Sequence, residues 1–225
     1  MSQLKKVLAA MMVLGAMSFL TLNGVFAALN SETINRGGSI SSGTLTFTNK
    51  VASNTACTSY GGAASPGNVN TACDALFSAA SLQYPGTPAT VQLTLKNDGS
   101  LDASDLAVFM ASCANQNTPS VPVHGGADPC ASGGAQLYLQ ETNSSFVATK
   151  CWYPTVAAGS CSFGANGLAN FDATYTDAVA SLDLGSGPVA GASRYFVIGM
   201  QLPSTASNAL QGQEALFDLT WHLST

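Results

Sequence analysis

Six cysteines, two histidines and a thin scatter of carboxylates are the residues of this chain with chemistry to offer. Cys57, Cys73, Cys113, Cys130, Cys151 and Cys161 follow an export-type N-terminus, and an even number of cysteines in an exported chain points to disulfides. Sequence alone permits about fifteen connectivities. Grouping into three close couples favours Cys57 with Cys73, Cys113 with Cys130 and Cys151 with Cys161. Each bridge closes a short loop and adds about 3 kcal/mol by restricting the unfolded chain. Zinc is the competing chemistry, and spacing opposes it, because no two cysteines are as close as the ligand pairs of a zinc knuckle.

The other candidates are weaker. His124 and His222 are far apart and neither sits in an HExxH pattern, so they read as a loop residue and a solvent-facing strand residue. No serine has the G-x-S-x-G surround of a hydrolase elbow. The stretch GSGPVA (185–190) fits a dinucleotide fingerprint on paper, but Pro188 interrupts it and no βαβ pattern surrounds it, which leaves a loop. Asp98, Asp102 and Asp105 suggest Ca²⁺, yet they lack the EF-hand spacing and its glutamate, and solvated turn carboxylates are the plainer reading. Asn143-Ser144-Ser145 matches a glycosylation acceptor. Tyr60, Trp152 and Tyr153 offer rings for sugar stacking, against the simpler role of packing near a cystine. No catalytic residue, metal or cofactor is expected from these patterns.

The elements that must carry these residues are short strands. GTLTFTN (43–49), TVQLTLKN (90–97), DLAVFM (105–110), AQLYLQE (135–141) and RYFVIGMQLP (194–203) have strand-like patterning. So does the C-terminal stretch, where Ala215, Phe217, Leu219, Trp221 and Leu223 alternate with polar residues; Phe217, Leu219 and Trp221 are expected in the core. Asn97-Asp98-Gly99-Ser100 reads as a turn in which Gly99 takes positive φ. Short helices are the reading for 71–82 and 172–184. Together these imply an all-β fold: a single antiparallel β-sandwich of the jelly-roll or immunoglobulin-like kind, spanning 43–225. The Ser/Gly/Asn-rich stretches 52–72 and 114–134 become long loops, each tied by a disulfide.

Residues 1–27 read as a cleaved secretory signal, with Lys5 and Lys6, an uncharged run from Val7 to Leu22, and small residues before a cut between Ala27 and Ala28. A retained anchor is the alternative, since the run approaches the roughly 17 residues of a membrane span. Lys5 and Lys6 account for two of the seven Lys and Arg residues, so the mature chain keeps five against twelve Asp and Glu. That balance disfavours nucleic acid as a partner. Charged residues make up 8% of the chain, far below the usual ~25%, and a weakly self-repelling surface suits a protein that assembles.

Three stretches resemble the TasA and camelysin family of exported biofilm-matrix fibre proteins. ALNSETINRGGSISSGTLTFTN (28–49) is similar to that family's mature N-terminus, VQLTLKNDGSL (91–101) to a strand ending in Lys-Asn-x-Gly-Ser-Leu, and NALQGQEALFDLTWHL (208–223) to its closing strand. The six cysteines and long loops depart from the family pattern, as does Leu29 where an aromatic is usual. The resemblance implies a secreted subunit at the cell surface or in the extracellular matrix. It would assemble head to tail with copies of itself by donor-strand complementation, after signal peptidase frees the arm 28–42. The donor residues would be Leu29, Asn30, Ser31, Glu32, Thr33 and Ile34, within 28–36, and the acceptor an edge involving the 91–97 strand or the C-terminal strand. A cell-surface anchor or accessory matrix protein is a further expected partner. Two other classes remain open: a camelysin-like secreted metallo-endopeptidase, and a carbohydrate-binding or adhesive surface module.

Overall fold

The computed structural model describes residues 44–59, 73–77, 86, 88–117, 126–165, 167–210 and 212–225. The chain divides between residues 42 and 43, and all the described residues belong to the second part. In chain order the elements are β1 (Phe47–Val51), β2 (Cys57–Thr58), β3 (Ala89–Asn97), β4 (Asp105–Asn117), β5 (Gln136–Thr142), β6 (Ala148–Tyr153) and β7 (Ala157–Ala158). They continue with α1 (Gly167–Thr174), β8 (Leu182–Asp183), β9 (Ser193–Gln201), a 3-10 turn at Asn208–Leu210 and β10 (Gln213–Ser224). The strands form two antiparallel sheets, a seven-stranded one in the order β2-β1-β3-β9-β5-β6-β7 and a three-stranded one in the order β10-β4-β8. This is the all-β sandwich that the strand pattern predicts.

Alternation builds the core. Val91, Leu93 and Leu95 of β3, Phe196, Ile198 and Met200 of β9, and Leu137 and Leu139 of β5 all point to the face opposed by Leu106, Val108 and Met110 of β4. The register sets Leu93 beside Phe196 and Leu139 beside Ile198, so each inward row is continuous across strands. α1 packs against β4 and β5 and adds Leu168 and Phe171 to the same core. An aromatic knot fixes it there: Phe171 lies 5.0 Å from Tyr153 and 4.9 Å from Tyr175, centroid to centroid, and the Tyr153 hydroxyl donates to the Gly167 carbonyl.

The three disulfides are Cys57–Cys73, Cys113–Cys130 and Cys151–Cys161, with Cα separations of 5.5, 5.7 and 4.9 Å. These are the pairs that the spacing favours, and they are compatible with an oxidising compartment.

Several boundaries differ from the sequence reading. The expected loop from residue 114 begins later, because β4 continues through a bulge to Asn117, and the loop from residue 52 contains β2. The helix expected at 172–184 lies earlier, at Gly167–Thr174, and Asp177 instead caps a bend by accepting from Val179 N and Ala180 N at 2.8 Å. Residues 73–77 of the other expected helix are not helical, and the rest of it lies outside the described residues. Gly99 is required for a different reason from positive φ. A Cβ there would collide with the Thr44 carbonyl and sit 2.7 Å from Thr46 N, so glycine lets the 98–100 turn close on the strand entry.

Candidate functional site

A sheet edge becomes a binding site when its backbone groups lack a neighbour and its side chains lack a cover. Three of the four edges of this sandwich are short. β2, β7 and β8 are two residues each, and each pairs with two residues of the longer strand beside it. The β8 side of the small sheet is covered further: Met110 N donates to Tyr175 O at 2.8 Å and Leu106 N to Gly185 O at 2.9 Å. The fourth edge is β10. It runs for twelve residues, and among the described residues only β4 pairs with it.

The sequence of β10 explains both its inner face and its incompleteness. Phe217, Leu219, Trp221 and Leu223 face the core and lie beside Cys113, Met110, Val108 and Leu106 of β4. The pairing shifts between Phe217 and Leu219, where β4 holds one extra residue. That bulge changes the parity of β4, so Cys113 takes the inward place that Ser112 would otherwise occupy, and Cys113 is thereby presented to Cys130. Leu106, Val108 and Met110 are fully buried, whereas Phe217, Leu219, Trp221 and Leu223 are only half-buried. The three residues expected in the core therefore stand at its margin, because among the described residues no strand lies beyond them to complete the cover. Trp221 still packs firmly, its ring 5.3 Å from Phe196, and an apolar cavity of about 10 Å³ lies beneath it and Leu219. The outward row of Leu216, Asp218, Thr220 and His222 is exposed, with Leu216 at 44%.

The other acceptor candidate is corrected. The 91–97 strand lies within β3, which is paired with β1 on one side and β9 on the other, so it has no free edge. The donor arm 28–36, the wider arm 28–42, the cleavage residues Ala27 and Ala28, His124 and Tyr60 all lie outside the described residues.

The carboxylate cluster does not converge on a cage. Asp98 is engaged by Lys96 and Thr48, Asp102 accepts from Ala190 N at 2.8 Å, and Asp105 accepts from Ser104 Oγ at 3.0 Å. The bonds from Lys96 and Thr48 hold the Asp98 carboxyl below its ordinary range. Among the described residues no group of three or more His, Cys, Asp or Glu is placed to hold a metal ion. Asn143 turns its carbonyl inward to accept from Ser145 N and Val147 N at the exposed β5–β6 turn.

The aromatic candidates are absorbed by packing. Tyr153 is buried, and burial, with the nearby Tyr175, pushes its phenol up to about 12. Trp152 donates its indole N–H to Glu141 at 2.8 Å, and the Lys150 ammonium covers its ring at 3.3 Å from the centroid. Glu141 also receives two bonds from Arg194, at 2.8 and 2.7 Å, while Arg194 donates to the carbonyls of Leu184 and Ser186. No spacing or motif in the sequence marks this clamp. Glu141 and Arg194 continue the inward rows of β5 and β9 past the last apolar residue, and their charges close that end of the core.

No protein-family model and no curated protein matches the chain.

Proposed function

We propose that this protein is the structural subunit of an extracellular fibre, exported by the segment 1–27 and assembled head to tail by strand addition at β10. The long β10 edge carries the reading: among the described residues only β4 pairs with this twelve-residue strand, and its row of Phe217, Leu219 and Trp221 is half-covered. A strand laid along it gains main-chain hydrogen bonds and shields apolar side chains together, which is how strand-adding partners gain affinity. The donor is the arm at residues 28–36 of another copy, released when the chain is cut between Ala27 and Ala28. Because donor and acceptor are different surfaces, the contact is heterologous and propagates instead of closing on itself. Three disulfides stiffen a subunit that works outside the cell.

The test is direct. The mature chain, concentrated, is expected to form filaments visible by electron microscopy, and the same chain lacking residues 28–36 to remain monomeric. Unchanged filaments from the truncated chain would overturn the reading.

A further inference from the structure

β10 offers an incoming strand a pattern as well as an edge. Its exposed row places Asp218 and His222 four residues apart on one face, so a matching strand needs a cation and an acceptor of the histidine N–H at that spacing. Between residues 28 and 42 the only charged side chains are Glu32 and Arg36, also four apart and of the same parity. One antiparallel alignment sets Arg36 opposite Asp218 and, in the same register, Glu32 opposite His222. Parallel alignment reverses the order, so that bringing Arg36 to His222 sets Glu32 against Asp218.

The opposite face of the arm agrees with this register. Gly37 falls beside Phe217 and Thr33 beside Trp221. A glycine paired with a ring already occurs in this sandwich, where Tyr138 lies over Gly199, and a β-branched residue next to an aromatic is a favourable cross-strand pair.

Chain direction identifies the source of the strand. Thr44, at the root of the arm, is bonded to Ser100 and Leu101, while Ser104 N donates to Ser224 O at 2.8 Å. The root of the arm and the finish of β10 therefore share one end of the sandwich. A subunit's own arm laid back along its own β10 would run parallel to it. The antiparallel alignment belongs to the arm of another copy, and antiparallel ladders are the more stable per residue.

We infer that the arm of one copy docks antiparallel on β10 of the next, registered by Arg36 against Asp218 and Glu32 against His222. The inference rests on the strand-addition reading above and adds its direction and register.

Two charge reversals test it in the mature chain, Arg36→Glu and Asp218→Lys. Asp218 is exposed, so the folded subunit is expected to melt as the native one does. Each variant alone carries a like-charge clash at every junction, and its critical concentration for filaments is expected to rise about three- to tenfold at low salt. An equimolar mixture restores opposite charges at each alternating junction and is expected to assemble like the native chain, with the difference fading near 1 M salt. Separate variants that assemble normally, while deletion of 28–36 still abolishes filaments, would overturn the register and leave strand addition standing. Filaments that survive the deletion would overturn both. A defect in Asp218→Lys that the Arg36→Glu partner does not rescue would assign the edge to another strand, such as β10 of a second copy.

Discussion

The ring of Tyr138 lies across the backbone of Gly199, its cross-strand neighbour, so closely that a Cβ at position 199 would fall inside the ring's van der Waals shell. Phe163 backs the ring with its centroid 4.8 Å away, so the tyrosine cannot simply tilt outward. Gly199→Ala is therefore expected to destabilise the sandwich by about 1–3 kcal/mol. Urea unfolding of Gly199→Ala, Tyr138→Ala and the double variant checks this. The double variant should lose less than the sum of the two singles, because removing the ring makes room for the new methyl.

Trp221→Ala removes a half-buried ring that rests on Phe196 and enlarges the space beneath β10. The expected cost is about 2–4 kcal/mol, lower than for a fully enclosed tryptophan, because part of the ring already meets solvent. Chemical denaturation measures it, and a loss below about 0.5 kcal/mol would show that the ring contributes little to the core.

Asn97 is completely buried at the end of β3, where its amide donates to Leu101 O at 2.8 Å and to Pro188 O at 3.0 Å, and its carbonyl accepts from Gly99 N. Three loop groups depend on one side chain. Asn97→Leu is expected to cost about 2–4 kcal/mol, since the Pro188 carbonyl is orphaned in a buried place and the other two groups lose partly buried bonds. Asn97→Asp should be comparably harmful, because a carboxylate cannot donate to either carbonyl. Thermal melts of both variants against the native chain decide the point.

Glu141 gives the subunit an acid limit. Burial alone would raise its carboxyl, but hydrogen bonds from Arg194 and Trp152 overcome that and hold it below the ordinary 4.5. A depressed carboxylate contributes its stability above the unfolded-state value and loses it as pH falls through the folded one. Stability should thus be steady above about pH 5 and decline below about 4.5. Glu141→Gln should be less stable at neutral pH and should show a shallower acid decline. Denaturation midpoints from pH 3 to 7 test the slope, and identical slopes would remove Glu141 from the acid response.

The Cys113–Cys130 bridge joins residues 17 apart in sequence beside the β4 bulge. Replacing both cysteines by serine is expected to cost about 3 kcal/mol. Because Cys113 lies beside Phe217, amide exchange should rise most in the first half of β10 and in β4 beyond Met110. Uniform exchange across the sandwich would contradict that local role.

Much of the fold is legible in the residues. β3 and β9 keep clean alternation and end within two residues of their expected limits, and the cysteine couples pair as their spacing suggests. The far half of β4 is not legible, since ASCANQN is small and polar and its bulge breaks the alternation that marks a strand. α1 is short and has no charged residue in its first acidic or last basic position, leaving only Leu168 and Phe171, three apart, as its signal. The edge is the deeper case. Alternation in the 91–97 stretch and in β10 looks alike, because pattern reports which face is buried and says nothing of how many neighbours a strand has. Only pairing order separates the central strand from the exposed one.

If the subunit assembles as proposed, the two-residue strands β2, β7 and β8 have a consequence at the scale of materials. In polymer language, a subunit with one donor arm and one usable acceptor edge is bifunctional, so growth yields threads. Lengthening any of the three stubs into a second open edge would raise the functionality to three, and the same chemistry would then gel. In such an assembly, the stubs keep the product linear.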